Sequence, residues 1–447
     1  MAKARKVDIV WEELFNMYPI LKQIQEKGFA EISAEQIKNY LGTEPRLVTK
    51  FDHYYQLPKI FQENLLSILP LTRGSYTIGH YLTHHTIENE MSNEENWKIE
   101  SMHWNSLLES LNIHNVPSET IAVNIAEISG ILSEFLGEDK LYATTAGRMG
   151  SGCFDFQIGI NDNQNILQTI PVENSQIEID AGYESMRSLT LIEAKKHLYE
   201  DFLIRQLYYP MRTWRMRIKK PVRTVFFMYS SGIYHLMEYE FPNPKIYSDI
   251  RLVNCRHFTL DDTNIQINDV ISIIQNTVPE EEPKNIPFPQ ADKMWRILDM
   301  TEKLCDEPMN SVELADEYGF RVRQGNYYAS ACKYLGLVDS TPNNQFAVTE
   351  IGRRIASAST SQKHLLIACQ LMKHAALHVV AQHAIQSIAS PEGHALMRIP
   401  PLSAFIEAMH RTGISLGSEK MYQRRGQTIR SWMIWLFSNC TDLEIIE

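Results

Sequence analysis

Between residues 141 and 255, short runs of alternating apolar and polar side chains follow one another, and no other stretch restricts the fold as much. CFDFQIGI, NSQIEID, LTLIEAK, RTVFFMYS and IYHLMEYEF are rich in β-branched and aromatic residues and are bounded by Gly, Asn, Ser or Pro. A two-residue period gives each strand one apolar face, so these runs require a sheet and a layer to cover it. RTVFFMYS and IYHLMEYEF meet at Ser231-Gly232, a tight hairpin turn. One helix, HLYEDFLIRQLYY, interrupts the strands and is expected to end near Pro210, which lacks a donor and disfavours helix before it. The expected arrangement is α+β: a mixed, mainly antiparallel sheet flanked by helices.

The 447 residues suffice for two or three domains. Upstream of the strands, WEELFNMYPILKQIQEKG and SETIAVNIAEISGILSEFLGED place apolar residues three and four apart, as helices do, the second starting at Ser118. LPLTRGSYTIGHYLTHH reads as short strands around a turn at Arg73-Gly74. VPEEEPKNIPFPQADK, from 278, is rich in proline and charge and reads as a linker. The expected units are a mainly helical region over 1–139 for DNA clamping or dimerisation, a core over 140–277, a linker over 278–291 and a further domain over 292–447.

Composition excludes several classes. No run of 18 apolar residues occurs, and MAKARKVDIVWEELF lacks the apolar core of a signal peptide, so a cytoplasmic protein is expected, with no membrane association. Six scattered cysteines with no CxxC pair fit neither a zinc site nor a disulfide framework. His80 with His84, and His374 with His378, have helical zinc spacing but no HExxH and no further ligand at a telling distance. Patterns for nucleotide cradles and esterase nucleophiles are missing. The net charge of −11 is unevenly spread: RQLYYPMRTWRMRIKKPVR, from Arg205 to Arg223, holds seven basic residues and no acid. Arg212, Arg215, Arg217, Lys219 and Lys220 in this run are candidates to follow a DNA backbone.

The chemistry is concentrated in QIEIDAGYESMRSLTLIEAKKHL. Ile177 and Ile179 form one face of the first strand and leave Glu178 and Asp180 together; in the second, Glu193 and Lys195 share a face. If the two strands pair, Asp180 and Glu193 meet with Lys195 beside them. Two carboxylates and a backbone carbonyl suit Mg2+, which prefers oxygen ligands and retains waters. The ion acidifies a bound water and neutralises phosphate charge, while a neighbouring lysine orients the attack. Phosphodiester hydrolysis is the chemistry that this set serves.

Asp180, twelve intervening residues and then Glu193-Ala194-Lys195 resemble the PD-(D/E)XK nuclease core, and the flanking text is similar to type II restriction endonucleases of that superfamily. Ile179 stands where that pattern has proline. The resemblance implies Asp180, Glu193 and the Ala194 carbonyl as metal ligands, Lys195 as the catalytic lysine, and Gln206 as a glutamine near the metal. Glu178 stays open as a ligand, a supporting partner or an exposed side chain. The resemblance also implies 5′-phosphate and 3′-hydroxyl products, a homodimer on a symmetric site and a cognate DNA methyltransferase as functional partner.

After the linker, SVELADEYGFRVRQGNYYASACKYLGLV reads as helix, turn, helix, with Ser311 as N-cap and Gly319 as the stop. VDSTPNNQFAVTEIG adds a hairpin around Pro342-Asn343-Asn344. The combination resembles winged-helix modules appended to restriction and modification enzymes, and it would send Arg323, Gln324, Asn326 and Tyr327 toward a DNA groove. Arg424 and Arg425 in YQRRGQTIRSWMIWL are candidate phosphate contacts, with Trp432 and Trp435 facing inward. Two alternatives stand beside the restriction enzyme. One is a repair or junction-resolving nuclease with the same core; the other is a non-catalytic winged-helix regulator whose acidic strands form an ion-pair patch.

Overall fold

The computed structural model describes residues 5–39, 42, 44–87, 91, 98–104, 107–160, 163–389 and 395–446. The chain is mixed α+β, organised around a seven-stranded sheet. Its strands are β1 (Ile99–Ser101), β2 (Tyr142–Gly150), β3 (Gln176–Glu184), β4 (Leu189–Lys195), β5 (Val222–Ser230), β6 (Ile233–Glu240) and β7 (Arg251–Thr259). Across the sheet they run β1-β7-β6-β5-β4-β3-β2. The β4–β5 and β7–β1 pairs are parallel and the others antiparallel. The β5–β6 turn holds Ser231 and Gly232 at φ 56° and 85°, the left-handed pair that a two-residue hairpin requires. Two further long strands, Cys153–Ile160 and Asn163–Glu173, form a separate antiparallel ribbon.

Both faces of the sheet are covered. On one, α1 (Glu119–Ile128) and the helix Ile131–Leu136 bury Val123, Ile125 and Phe135 against Ile192, Ala194, Val225 and Phe227. Ser118 caps α1 by accepting the Ile121 N–H at 3.3 Å. This covering layer therefore begins upstream of residue 140. On the other face lies α2 (Arg205–Arg215), which buries Leu207, Tyr208, Tyr209 and Met211 with Phe226 and Met228.

Helix α2 departs from the sequence expectation twice. It starts at Arg205, because Asp201–Leu203 instead pairs as a strand with His84–Thr86, and it continues through Pro210 to Arg215. An internal proline costs a helix about 3 kcal/mol. Burying a large apolar side chain contributes about 1.5–3 kcal/mol, and α2 buries several, so tertiary packing overrides the local signal.

The N-terminal unit has more strand than expected. Phe29–Ser33, Ser75–Gly79 and Ser67–Pro70 form an antiparallel sheet in that order, packed against Lys6–Met17, Ile20–Lys27 and Lys59–Glu63 through Trp11, Leu14, Phe61 and Ile78. The C-terminal unit opens with α3 (Met294–Asp306), α4 (Ser311–Tyr318) and α5 (Val322–Tyr334). A hairpin of Val338–Ser340 and Phe346–Val348 follows, and Met309 bridges to Phe346. Asn310, not Ser311, caps α4: its side chain accepts the Val312 and Glu313 N–H groups while Glu313 returns to the Asn310 N–H. Gly319 ends α4 at φ 67°.

The proline-rich stretch before α3 is pinned rather than loose. Glu282 accepts from the Tyr334 hydroxyl and the Ala376 N–H, Arg425 donates to the Phe288 carbonyl, and the Trp432 indole donates to the Ala291 carbonyl. Asp299 of α3 is fully buried, 3.2 Å from His197 and accepting from Ser230. Arg296, also fully buried, lies 3.2 Å from Glu200 and packs on Trp295, Tyr318, Phe320 and Tyr328. These contacts fix the C-terminal unit to the residues that follow β4. Among the described residues, no helix is long and apolar enough to cross a membrane.

Candidate active site

Strands β3 and β4 pair antiparallel from Leu189↔Glu184 to Ile192↔Ala181, and the ladder stops there. The next positions along are Asp180 and Glu193. The Ala194 N–H is instead taken by the carboxylate of Asp180, Oδ2 accepting at 2.8 Å. Glu193 Oε1 accepts from Lys195 Nζ at 2.6 Å and from Gln206 Nε2, which reaches down from the first turn of α2. The other amide atom, Gln206 Oε1, is buried without a hydrogen-bond partner. Asp180, Glu193, Lys195 and Gln206, the last twenty-six positions after the first, thus line one cleft.

Glu193 is buried, and burial pushes its carboxyl up to about 7; the negative Asp180 adds to the rise and Lys195 opposes it. Burial also works against the charge on Lys195, but Glu193, Asp52 and Glu119 overcome it and hold the ammonium above its ordinary range. Two of these acids were not singled out from the sequence. Glu119, the first residue of α1, accepts the Lys196 N–H, and its carboxyl is raised by burial and by Asp180 against the pull of Lys195. Asp52 comes from the N-terminal unit, 3.4 Å from Lys50, with Oδ1 buried and unpaired. Burial works against its charge, yet Lys195 and Lys50 hold its carboxyl below the usual range. The one signal for Glu119 was its place after an N-cap, where acids are favoured for reasons of helix stability alone.

Four carboxylates, Asp52, Glu119, Asp180 and Glu193, crowd Lys195, with Lys50 answering Asp52, and the unpaired Gln206 oxygen adds an acceptor. That donor set fits a hard cation held by oxygen. Among the described residues no three His, Cys, Asp or Glu side chains stand together as a ready-made metal group. A site of two carboxylates completed by the Ala194 carbonyl and water does not need a third. Glu178 is answered differently: it pairs with Arg148 across β2 and β3 at 3.0 Å.

The cleft measures about 870 Å3, and its walls come from two units. The core contributes Glu119, Arg148, Glu178, Arg205 and the residues above; the N-terminal unit contributes Lys38, Arg46, Lys50 and Arg73. The basic run after Arg205 does not line it beyond Pro210. Arg212 donates to the carbonyls of Asp155 and Pro244 and packs on Phe154, Lys220 pairs with Glu184 at 2.6 Å, and Arg217 lies over Trp214 and donates to the Gly150 carbonyl. Arg215 and Lys219 are exposed. On α5, Gln324 is turned onto Glu200 of the core at 3.2 Å and Asn326 accepts from Ser311. Arg323 lies exposed over the ring of Tyr327. Arg424 is exposed, whereas Arg425 is drawn inward to the Phe288 carbonyl. Trp432 and Trp435 face the core, as expected.

The four histidines with zinc spacing are each engaged. His80 and His84 meet the Leu65 and Phe51 carbonyls at 3.1 and 3.0 Å, His374 meets Glu282 at 3.3 Å, and His378 meets the Ile274 carbonyl at 2.9 Å.

Three family models match the chain, each described as a domain of unknown function: DUF6996 over residues 8–78, DUF6997 over 80–259 and DUF7226 over 296–441. The first match ends with the strand Ser75–Gly79, the second holds the whole central sheet, and the third opens within α3. No curated protein and no solved structure matches the chain.

Proposed function

We propose that this chain is a magnesium-dependent, sequence-specific endonuclease of double-stranded DNA, a type II restriction enzyme with a PD-(D/E)XK core and a C-terminal winged-helix domain. The observation that carries the reading is the convergence of Asp180, Glu193, Lys195 and Gln206 in one cleft, at the point where the β3–β4 ladder ends. The order of α3, the Met309 bridge, α4, α5 and the hairpin supports the winged-helix part.

Asp180, Glu193 and the Ala194 carbonyl are the residues that would hold magnesium, with Gln206 Oε1 facing the same site. When bound, the ion supplies an acidified water and neutralises charge on the phosphate. The chain's own groups do the positioning. Gln206 fixes the Glu193 carboxylate through Nε2. Lys195, kept protonated by surrounding carboxylates, orients the attacking water and stabilises the anionic phosphorus centre. In-line attack leaves 5′-phosphate and 3′-hydroxyl ends. One such centre per chain, acting on a symmetric site, calls for a two-fold homodimer. The reading also includes a cytoplasmic location and a cognate DNA methyltransferase as functional partner.

Plasmid cleavage with magnesium by wild type, Asp180→Ala and Lys195→Ala tests the proposal. Discrete fragments that vanish in both variants are expected. Cutting confined to branched DNA points to a junction-resolving enzyme instead. DNA binding with no magnesium-dependent cutting, unaffected by either substitution, leaves a winged-helix regulator.

A further inference from the structure

Two guanidinium groups of the N-terminal unit are left open on the wall of the candidate cleft. Arg46 opens the short helix Arg46–Thr49, and Arg73 lies in the turn between Ser67–Pro70 and Ser75–Gly79. Both are exposed, both line the cleft, and neither makes an ion pair or side-chain hydrogen bond among the described residues. Arg73 also ties the two walls together in space: its Nη2 lies 3.8 Å from where a side chain on Gly150, at the end of β2, would begin. Nearby Lys50 is only partly answered, 3.4 Å from Asp52.

The wall that carries them is fixed to the core. Asp201 accepts the Tyr54 N–H at 2.8 Å, His84 meets the Phe51 carbonyl at 3.0 Å, and the Glu173 N–H donates to the Leu71 carbonyl at 2.8 Å. Unpaired cations held in place on a chain of net charge −11 are preorganised for an anion from outside. They come from different elements, and Arg205 continues the cationic lining on the core side, where Arg148 is paired with Glu178. A repeating anion that passes the carboxylates at the floor matches that spread; a single anionic group does not.

We infer that the N-terminal unit is the phosphate clamp of the cleft: Arg46 and Arg73, on one wall, hold the backbone of duplex DNA whose scissile bond lies at Asp180 and Glu193. The inference rests on the nuclease reading for the identity of the polyanion. It moves the main backbone contact from the basic run after Pro210 to residues 46–73.

Binding of a labelled random-sequence duplex in EDTA, where no metal-dependent cutting interferes, provides the test. Arg46→Glu/Arg73→Glu is expected to weaken binding at least about tenfold. It should also reduce the steepness of log K against log salt by about 2, since each lost phosphate contact removes nearly one unit. Arg215→Glu/Lys219→Glu, exposed outside the cleft, should bind as wild type does. If charge reversal lowers the melting temperature, Arg46→Gln/Arg73→Gln serves in its place with the same expected change in slope. Wild-type affinity and slope in the cleft variant, a larger loss in the control pair, or no duplex binding by wild type would each overturn the clamp. The two readings fail separately. Unchanged binding with cutting still lost in Asp180→Ala removes the clamp alone, whereas weakened binding with no cutting by wild type removes the nuclease alone.

Discussion

The bond from the Ala194 N–H to Asp180 allows the structural and chemical duties of one carboxylate to be separated. The ladder ends at Ile192↔Ala181, so the Ala194 amide has Asp180 Oδ2, at 2.8 Å, as its acceptor, and Ala194 is fully buried. Asp180→Ala strips that acceptor, and a buried bare N–H costs about 1–3 kcal/mol. Asp180→Asn keeps an oxygen in the same place but removes the charge, which also relieves repulsion against Glu193 and Glu119. Amide hydrogen exchange resolves the difference locally. The peptide bearing Ala194 should exchange roughly 5- to 150-fold faster in the alanine variant, the equivalent of those energies, and no faster than wild type in the asparagine variant. Cleavage should behave differently, with both variants losing it by more than about a thousandfold, because both lose a charged metal ligand. Equal exchange in the two variants would refute the hydrogen-bond reasoning. An asparagine variant that cuts at the wild-type rate would refute the ligand assignment.

Other outcomes follow from the same geometry. Magnesium at a hundred times its dissociation constant should stabilise wild type by about 2.7 kcal/mol in thermal unfolding; Asp180→Asn should lose that response, and an equal shift in both proteins argues against the site. Gly352→Ala places a Cβ 2.0 Å from the Leu337 carbonyl and 2.8 Å from Val348, so the hairpin of the C-terminal unit should be destabilised by more than about 2 kcal/mol in urea, and a wild-type midpoint contradicts this. Arg223 makes two 2.7 Å bonds to the buried Glu238 and a third to the Leu136 carbonyl at 2.8 Å; Arg223→Ala should cost about 3 kcal/mol, with Arg223→Ala/Glu238→Gln recovering part of it. Burial lowers His364 from 6.5 to about 4, so above pH 6.5 it is neutral folded or unfolded. Between pH 6.5 and 4 the unfolded chain takes up the proton first, and stability should fall by at most about 3 kcal/mol. His364→Gln, which keeps a donor for the Leu436 carbonyl, should flatten that slope; an unchanged slope assigns the acid sensitivity elsewhere.

What the sequence made legible was local. Period-two runs marked the strands now seen as Cys153–Ile160, β3, β4, β5 and β6, and Ser231-Gly232 marked the turn that joins the last two. Glu193 and Lys195 were readable because two residues along a strand share a face, and Asp180 because the loop back is short. The misjudged features depend on burial. Pro210 argued locally for a helix end, but tyrosines at 208 and 209 pack beneath it and hold the helix together. Ser311 resembled a cap, yet Asn310 lies one residue earlier with Glu313 in position to reciprocate. For the proline-rich linker, composition marked a joint between units but says nothing of Tyr334, His374 or Trp432, the distant partners that pin it.

Charge was legible as composition but not as placement. A dense run of seven basic residues stands out in a linear reading, and three of its members are consumed inside the fold, Arg212 on backbone carbonyls, Lys220 on Glu184 and Arg223 on Glu238. Arg46 and Arg73 stand alone in the sequence, twenty-seven residues apart. Only the N-terminal hairpin and the helix Arg46–Thr49 bring them onto one wall. The difference is physical. A contiguous basic strand-helix junction must neutralise much of its own charge to pack, whereas isolated cations on separate elements can stay unpaired. A cationic surface free to take up phosphate is therefore better sought in the side chains that the fold leaves unanswered than in the densest run. Arg46 and Arg73 meet that criterion and also line the cleft, whereas Arg215 and Lys219, equally exposed, lie outside it; the N-terminal unit is therefore the part of this chain that we infer receives the polyanion.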